Sequence, residues 1–116
     1  MDNYTLSIPD EYFDKIKSGE INLALRVNDT KRRNYKIGNV LSFKKQSDES
    51  DEFKVEISNL FYFDTIKDAL LGFGKKRFGY TESITADKIE DKMLMFYKNE
   101  DIEKYGIVII EIKIKD

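Results

Sequence analysis

Two short segments of this sequence are rich in positively charged side chains, and those segments are where chemistry is best supported. The candidates are Arg26, Lys31, Arg32, Arg33 and Lys36 in the first segment, and Lys75, Lys76 and Arg77 in the second. Their charge is locally concentrated, although the formal net charge of the chain is −2. Such segments predict a basic surface that binds an anionic partner, and phosphate contacts of nucleic acid fit it. Solvated loop charges without a partner are the alternative.

Arg26 lies in a segment with the alternating pattern of a half-buried strand. Apolar residues at 21, 23, 25 and 27 alternate with Asn22, Ala24, Arg26 and Asn28, which is the period of a strand with one buried face. Arg26 and Asn28 therefore share a face and are both candidate binding residues. A guanidinium can grip a phosphate, a carboxylate or a base edge with two hydrogen bonds. A salt bridge from Arg26 to Asp29 is the alternative.

The second basic segment is embedded in residues 72–80, which combine three glycines, three cations and three aromatic residues. Backbone N–H groups there could cradle phosphates, and Phe78 or Tyr80 could stack on bases. The glycine spacing differs from that of a P-loop. Phe73 falls on a helical apolar stripe, which is typical of core packing.

The composition excludes several classes of chemistry. The chain has no cysteine and no histidine, so disulfides, thiol catalysis, imidazole metal sites and Ser-His-Asp chemistry are excluded. The acidic run 48–52 lacks the spacing of a calcium-binding loop and predicts an exposed hairpin loop over residues 46–52. We expect no metal and no cofactor. No apolar run approaches the roughly 20 residues of a membrane span, and no secretory signal is visible, so we expect a cytoplasmic protein without membrane contact.

The elements that must position these residues fit one domain over residues 1–116. The pattern predicts strands over 4–8, 21–28, 40–45, 53–63 and 108–115 and helices over 9–18, 65–73 and 86–98, with a short helical turn before Gly106. Asp64 is the expected N-cap of the second helix, and the third has an apolar stripe at 89, 93, 96 and 97. Five strands without a βαβ rhythm predict an α+β fold, built on a small, partly closed antiparallel β-barrel with peripheral helices.

The order of these segments resembles the ASCH domain, a small barrel of the PUA-like superfold, over nearly the whole chain. The resemblance is carried by residues 9–13 and 16–19, by 25–29 with 32–33, by 36–39 with 41–43, and by 97, 100–101 and 104–108. It implies RNA as the nucleic acid, since composition alone does not separate RNA from DNA.

Two positions depart from the family signature Gly-x-Lys-x-x-Glu-x-Arg. The lysine position holds Ile21 and the Glu or Thr position holds Ala24, while Gly19 and Arg26 are kept. Neither Ile21 nor Ala24 can activate water or orient a catalytic lysine, so no catalytic residue is predicted. The sequence therefore favours a module that binds RNA or a nucleotide-like ligand. A protein-interaction module or inhibitor on the same scaffold, and a divergent amidohydrolase or ribonuclease, are the alternatives.

Overall fold

Five strands form one sheet in the computed structural model, which describes residues 3–81, 83–95 and 97–115. The strands are β1 (Asn3–Ile8), β2 (Leu23–Val27), β3 (Val40–Lys45), β4 (Asp48–Phe63) and β5 (Ile107–Lys115). The helices are α1 (Asp10–Lys17), α2 (Thr30–Arg33), α3 (Ile66–Phe73), α4 (Ala86–Met93) and α5 (Asn99–Tyr105). A 3₁₀ helix (Lys75–Phe78) lies between α3 and α4.

The sheet has the strand order β1-β3-β4-β5-β2 and curls into a half-barrel. This confirms the predicted α+β fold with a partly closed barrel and peripheral helices. The expectation of a wholly antiparallel sheet is wrong for one pair, because β1 and β3 run parallel. A long connection through α1, β2 and α2 separates these two strands, and a parallel pair requires such a crossover.

Apolar side chains cover both faces of the sheet. The first core cluster contains Phe13 and Ile16 of α1 together with Val108, Ile110 and Ile112 of β5. The second core cluster lies on the opposite face, where β2 packs with α3, α4, α5 and the 3₁₀ helix against Ile107 and Ile109. Alternate residues of β5 therefore enter different clusters, and β5 is central to the fold.

Several predicted boundaries are corrected by the structure. Residues 48–52 are the start of β4 rather than a hairpin loop, and the turn is confined to Gln46 and Ser47. The N-cap of α3 is Thr65, not Asp64. The third predicted helix, α4, ends at Met93, and Phe96 of its predicted stripe lies outside the described residues.

The strand expected from residue 21 begins at Leu23. Ile21 packs in the first core cluster, whereas Leu23 packs in the second. The alternation predicted for the rest of this strand is confirmed, because Leu23, Leu25 and Val27 are buried and Arg26 is only half-buried.

Candidate functional site

The predicted basic turn at residues 31–33 is one turn of helix, α2, held in place by Asp29. The Asp29 carboxylate accepts a hydrogen bond from the backbone N–H of Arg32 at 3.1 Å, which is an N-cap contact. Its other oxygen lies 3.3 Å from Nη1 of Arg32. The Arg32 guanidinium also lies 6.0 Å from the ring centre of Tyr97. Arg32 therefore anchors α2 against the rest of the protein.

The other cations of this segment, Lys31, Arg33 and Lys36, are exposed. The guanidinium of Arg33 lies 5.0 Å from the ring centre of Tyr105, and Nζ of Lys104 lies 5.1 Å from the same ring centre. We call Lys31, Arg33, Lys36 and Lys104 the basic surface. Sequence reasoning missed Lys104 because it stands alone among acidic residues.

Arg26 is half-buried on β2, opposite Val108 of β5. Its Nη1 donates a hydrogen bond to the backbone carbonyl of Leu25 at 2.8 Å. Within the described residues no carboxylate lies within 4.0 Å of its guanidinium, and the alternative partner Asp29 is bound to Arg32 instead. Most of the hydrogen-bonding capacity of this charged group is therefore available to a ligand.

Tyr35 contributes a buried hydroxyl that lies within electrostatic range of Arg26. The residue is 3% exposed, and its hydroxyl has no hydrogen-bond partner in the described part of the chain. Burial raises the pKa of Tyr35, while the nearby positive charges of Arg32 and Arg26 act to lower it. A buried hydroxyl of this kind is costly unless something bonds to it.

Tyr80 comes from another part of the chain and is also within electrostatic range of Arg26. Burial raises the pKa of Tyr80, and the charge of Arg26 acts to lower it. Arg26 therefore acts electrostatically on two tyrosines from separate segments, one after α2 and one after the 3₁₀ helix. The sequence predicted Tyr80 as a residue that stacks on bases, but no sequence pattern identified Tyr35 as a candidate site residue.

The second basic segment forms a 3₁₀ helix packed against β2, not an open glycine-rich phosphate loop. Phe78 is buried in the second core cluster, and a Cβ at Gly79 would lie 2.6 Å from Cδ1 of Ile21. Nη2 of Arg77 lies 2.9 Å from Oε2 of Glu111, and its guanidinium is 5.8 Å from the ring centre of Phe73. This segment is tied to the sheet, although Lys76 is exposed.

Asn28 lines a concavity of about 320 Å³, which is located where β4 ends and β5 begins. The lining residues are Asn28, Tyr62, Phe63, Asp64, Asp68, Tyr105 and Ile107. Oδ1 of Asn28 exposes less than 1 Å² and has no hydrogen-bond partner among the described residues. Because Tyr105 also carries Arg33 on its ring, the concavity adjoins the basic surface.

The two altered family positions are apolar in their surroundings as well as in their identity. Ile21 is 3% exposed in the first core cluster, and Ala24 packs against the same cluster. In the described ranges no three acidic, histidine or cysteine residues are grouped so that they could hold a metal ion. Those ranges also contain no helix long and apolar enough to cross a membrane.

Two solved structures of hypothetical proteins resemble this fold over their whole length. The crystal structure of hypothetical protein PH0355 matches with a TM-score of 0.79 and 24% identity, over 98% of this chain and 100% of that one. The solution structure of protein PF0455 from Pyrococcus furiosus matches with a TM-score of 0.75 and 22% identity, over 99% of both chains. No protein-family model and no curated protein matches the sequence. These similarities establish the fold alone.

Proposed function

We propose that this protein binds single-stranded RNA, with the phosphate backbone lying on the basic surface and one phosphate reaching Arg26. The observation that carries the proposal is the pairing of two unsatisfied groups. Among the described residues, Arg26 is a half-buried cation without an acidic partner, and Tyr35, within electrostatic range of it, has a buried hydroxyl without a hydrogen-bond partner. RNA is preferred to DNA because of the resemblance to the ASCH domain, which is itself part of the proposal.

A phosphate that reaches Arg26 and displaces the side chains covering the Tyr35 hydroxyl satisfies both groups at once. It supplies the countercharge that a partly desolvated guanidinium lacks, and its oxygens accept hydrogen bonds from Arg26 and from the hydroxyl of Tyr35. Lys31, Arg33 and Lys36 lie within a few residues of Tyr35 and offer exposed cations for the neighbouring phosphates. Contacts of this kind give affinity and orientation without sequence specificity.

Hydrolysis is not part of the proposal. The position that resembles the family's lysine is the buried side chain of Ile21, and its partner position is Ala24. Neither side chain can transfer a proton. The expected cytoplasmic location stays a prediction that accompanies the RNA proposal.

Fluorescence anisotropy with a labelled RNA oligomer, repeated over a series of salt concentrations, tests the proposal. We expect affinity to fall steeply with salt, and Arg26→Ala to weaken binding by about tenfold, the effect of losing a charge-assisted hydrogen bond. The matched control is Lys54→Glu/Lys115→Glu, which reverses two exposed charges paired across β4 and β5. This pair lies roughly 20 Å along the sheet from Arg26. Absence of binding at low salt would refute the proposal.

A protein-interaction module is the second candidate, favoured by large apolar side chains at the surface. Leu71 and Met95 are 79% and 78% exposed. Exposed apolar side chains mark a protein interface where they form one contiguous patch. If a defined protein partner binds the native chain and is lost on Leu71→Ser/Met95→Ser, while RNA is not retained, this candidate replaces RNA binding.

A further inference from the structure

The concavity beside Asn28 stands at the meeting point of three neighbouring strands. Phe63 of β4 pairs with Ile107 of β5, and Ile107 pairs with Val27 of β2, directly before Asn28. Tyr105, which precedes β5, forms part of the wall and carries the guanidinium of Arg33 at 5.0 Å from its ring centre. A nucleotide whose phosphate contacts Arg33 therefore has its base within reach of the concavity.

The polar groups of this concavity are mainly hydrogen-bond acceptors. Asp64 and Asp68 contribute carboxylates, and neither forms an ion pair of 4.0 Å or less within the described residues. The third acceptor is Oδ1 of Asn28, which is buried and has no donor among the described residues, so a base meets it after a rotation of the Asn28 side chain. The hydroxyl of Thr65 already accepts the N-terminal hydrogen bond of α3 from the N–H of Asp68, so capping does not require the Asp68 carboxylate.

Aromatic side chains complete the walls. Tyr62 is 59% exposed, while Tyr105 is half-buried and lies against Arg33 and Lys104 of the basic surface. Tyrosine rings stack on nucleobases, and such stacking is the usual way in which single-stranded RNA bases are held. A volume of about 320 Å³ is enough for one base.

We propose that this concavity is a base-recognition pocket that prefers bases with an exocyclic amino group, cytosine and adenine, over uracil. The proposal rests on the RNA binding proposed above and adds a sequence preference to it. The amino group of cytosine or adenine donates hydrogen bonds to carboxylate and amide oxygens. Uracil presents carbonyl oxygens at the corresponding edge, which are repelled by the acceptors of Asp64, Asp68 and Asn28.

The test compares anisotropy binding of oligo(C), oligo(A) and oligo(U) of equal length. We expect the native protein to bind oligo(C) and oligo(A) about tenfold more tightly than oligo(U), the discrimination of one good base contact. Asp64→Asn/Asp68→Asn removes two negative charges and strengthens binding of every oligomer, so the ratio between oligomers is the diagnostic quantity. In this variant the ratio falls to within about twofold, because amides can donate to uracil as well as accept.

Asp87→Asn/Asp91→Asn is the matched control. These two residues are exposed, stand four positions apart like Asp64 and Asp68, and lie on α4, with Asp87 in its first turn. The control removes the same charge and keeps the tenfold preference. Thermal denaturation of both variants separates a loss of folding from a loss of preference.

A second measurement detects ligand binding in the concavity directly. In ¹⁵N–¹H spectra, cytidine monophosphate is expected to shift the side-chain amide signals of Asn28, and uridine monophosphate to shift them much less. Equal binding of all oligomers by the native protein overturns the pocket proposal and leaves RNA binding intact. Binding of no oligomer, with no shift of Asn28, overturns both. A shift produced by arginine amide but not by cytidine monophosphate assigns the pocket to a cationic side chain of a protein partner instead.

Discussion

The two basic segments have similar charge in sequence and different surroundings in the folded protein. In the segment that forms α2, Asp29 binds Arg32 from three residues away, and the remaining cations face solvent. In the segment that forms the 3₁₀ helix, Arg77 is bound by Glu111, 34 residues away, and lies over Phe73. The first segment therefore exposes positive charge to solvent, whereas Arg77 of the second segment links the 3₁₀ helix to the sheet.

The difference shows what an acidic neighbour does to a basic cluster. A local acid that caps a helix holds one arginine and orients the others outward. An acidic residue on another strand forms a tertiary ion pair with the arginine, and this ion pair reduces the positive charge that a ligand can contact. Four changes test this division of roles.

Reversing the exposed charges of α2 should have the largest effect. Lys31→Glu/Arg33→Glu is expected to weaken RNA binding on the order of 100-fold, because two phosphate contacts are replaced by repulsion. Stability should change by less than about 0.5 kcal/mol, since both side chains are exposed. Anisotropy and urea denaturation measure the two quantities. If Arg77→Glu weakens RNA binding as much as this variant does, the two segments do not differ as described.

Removing the cap of α2 should affect stability and binding together. Asp29→Ala removes the hydrogen bond to the N–H of Arg32 and the ion pair with its guanidinium. We expect a loss of about 1–2 kcal/mol in the free energy of unfolding, and weaker RNA binding because α2 no longer orients Lys31 and Arg33. Asp29→Asn keeps a good N-cap residue but removes the negative charge, so this variant separates the effect of capping from the effect of the ion pair. Unchanged urea denaturation of Asp29→Ala would show that α2 does not depend on its cap.

Changing Tyr35 to Phe should move stability and binding in opposite directions. The buried hydroxyl has no partner in the described chain, so its removal is expected to leave stability unchanged or raise it by up to about 1 kcal/mol. RNA affinity should fall by about five- to tenfold, because a phosphate loses a donor. Tyr4→Phe, whose hydroxyl donates to the backbone carbonyl of Asn34, is the control. A fall in stability without a change in affinity would assign the hydroxyl of Tyr35 a structural role.

Neutralising Glu111 should have the smallest effect, which is present at neutral pH and disappears in acid. A hydrogen bond from Asn59, followed by Arg77, lowers the pKa of Glu111 below its ordinary value of 4.5. A lowered pKa in the folded state adds stability above the unfolded pKa, and this stability is lost as pH falls through the folded value. Glu111→Gln should lower the free energy of unfolding by a few tenths of a kcal/mol at neutral pH. The free energy of unfolding should also fall less steeply in this variant as the pH is lowered into the acid range. An equally steep fall in both proteins would contradict this assignment, and RNA affinity should not change.

Much of the architecture could be predicted from local patterns. The third strand matches Val40–Lys45, and α1 runs from Asp10 after Pro9 to Lys17 before Gly19. These elements have local signals: alternation, capping preference and a glycine with positive φ. The parallel pairing of β1 with β3 and the two-sided burial of β5 were missed, because strand partners are chosen over distances that a short pattern does not encode.

The cations of the candidate site and Asn28 were predicted from the sequence, whereas Tyr35 was missed. Arg26 and Lys31 stood out as cations, whereas Tyr35 became notable only once its hydroxyl proved to be buried without a partner. The pairing of Arg77 with Glu111 likewise depends on tertiary structure. The oxygen-lined concavity joins Asn28 to Asp64 and Asp68, and no short motif spans that separation.

The strand order determines when, during synthesis of the chain, β2 can join the sheet. β2 is joined to the sheet only by β5, and Val27 pairs with Ile107, about 80 residues later in the chain. As the polypeptide leaves the ribosome, Arg26 and α2 emerge early but have no partner strand until β5 follows. The surface proposed to bind RNA is therefore assembled after nearly all of the chain has been made. A nascent or truncated chain that lacks β5 has Arg26 and α2 but not the strand that holds them in place.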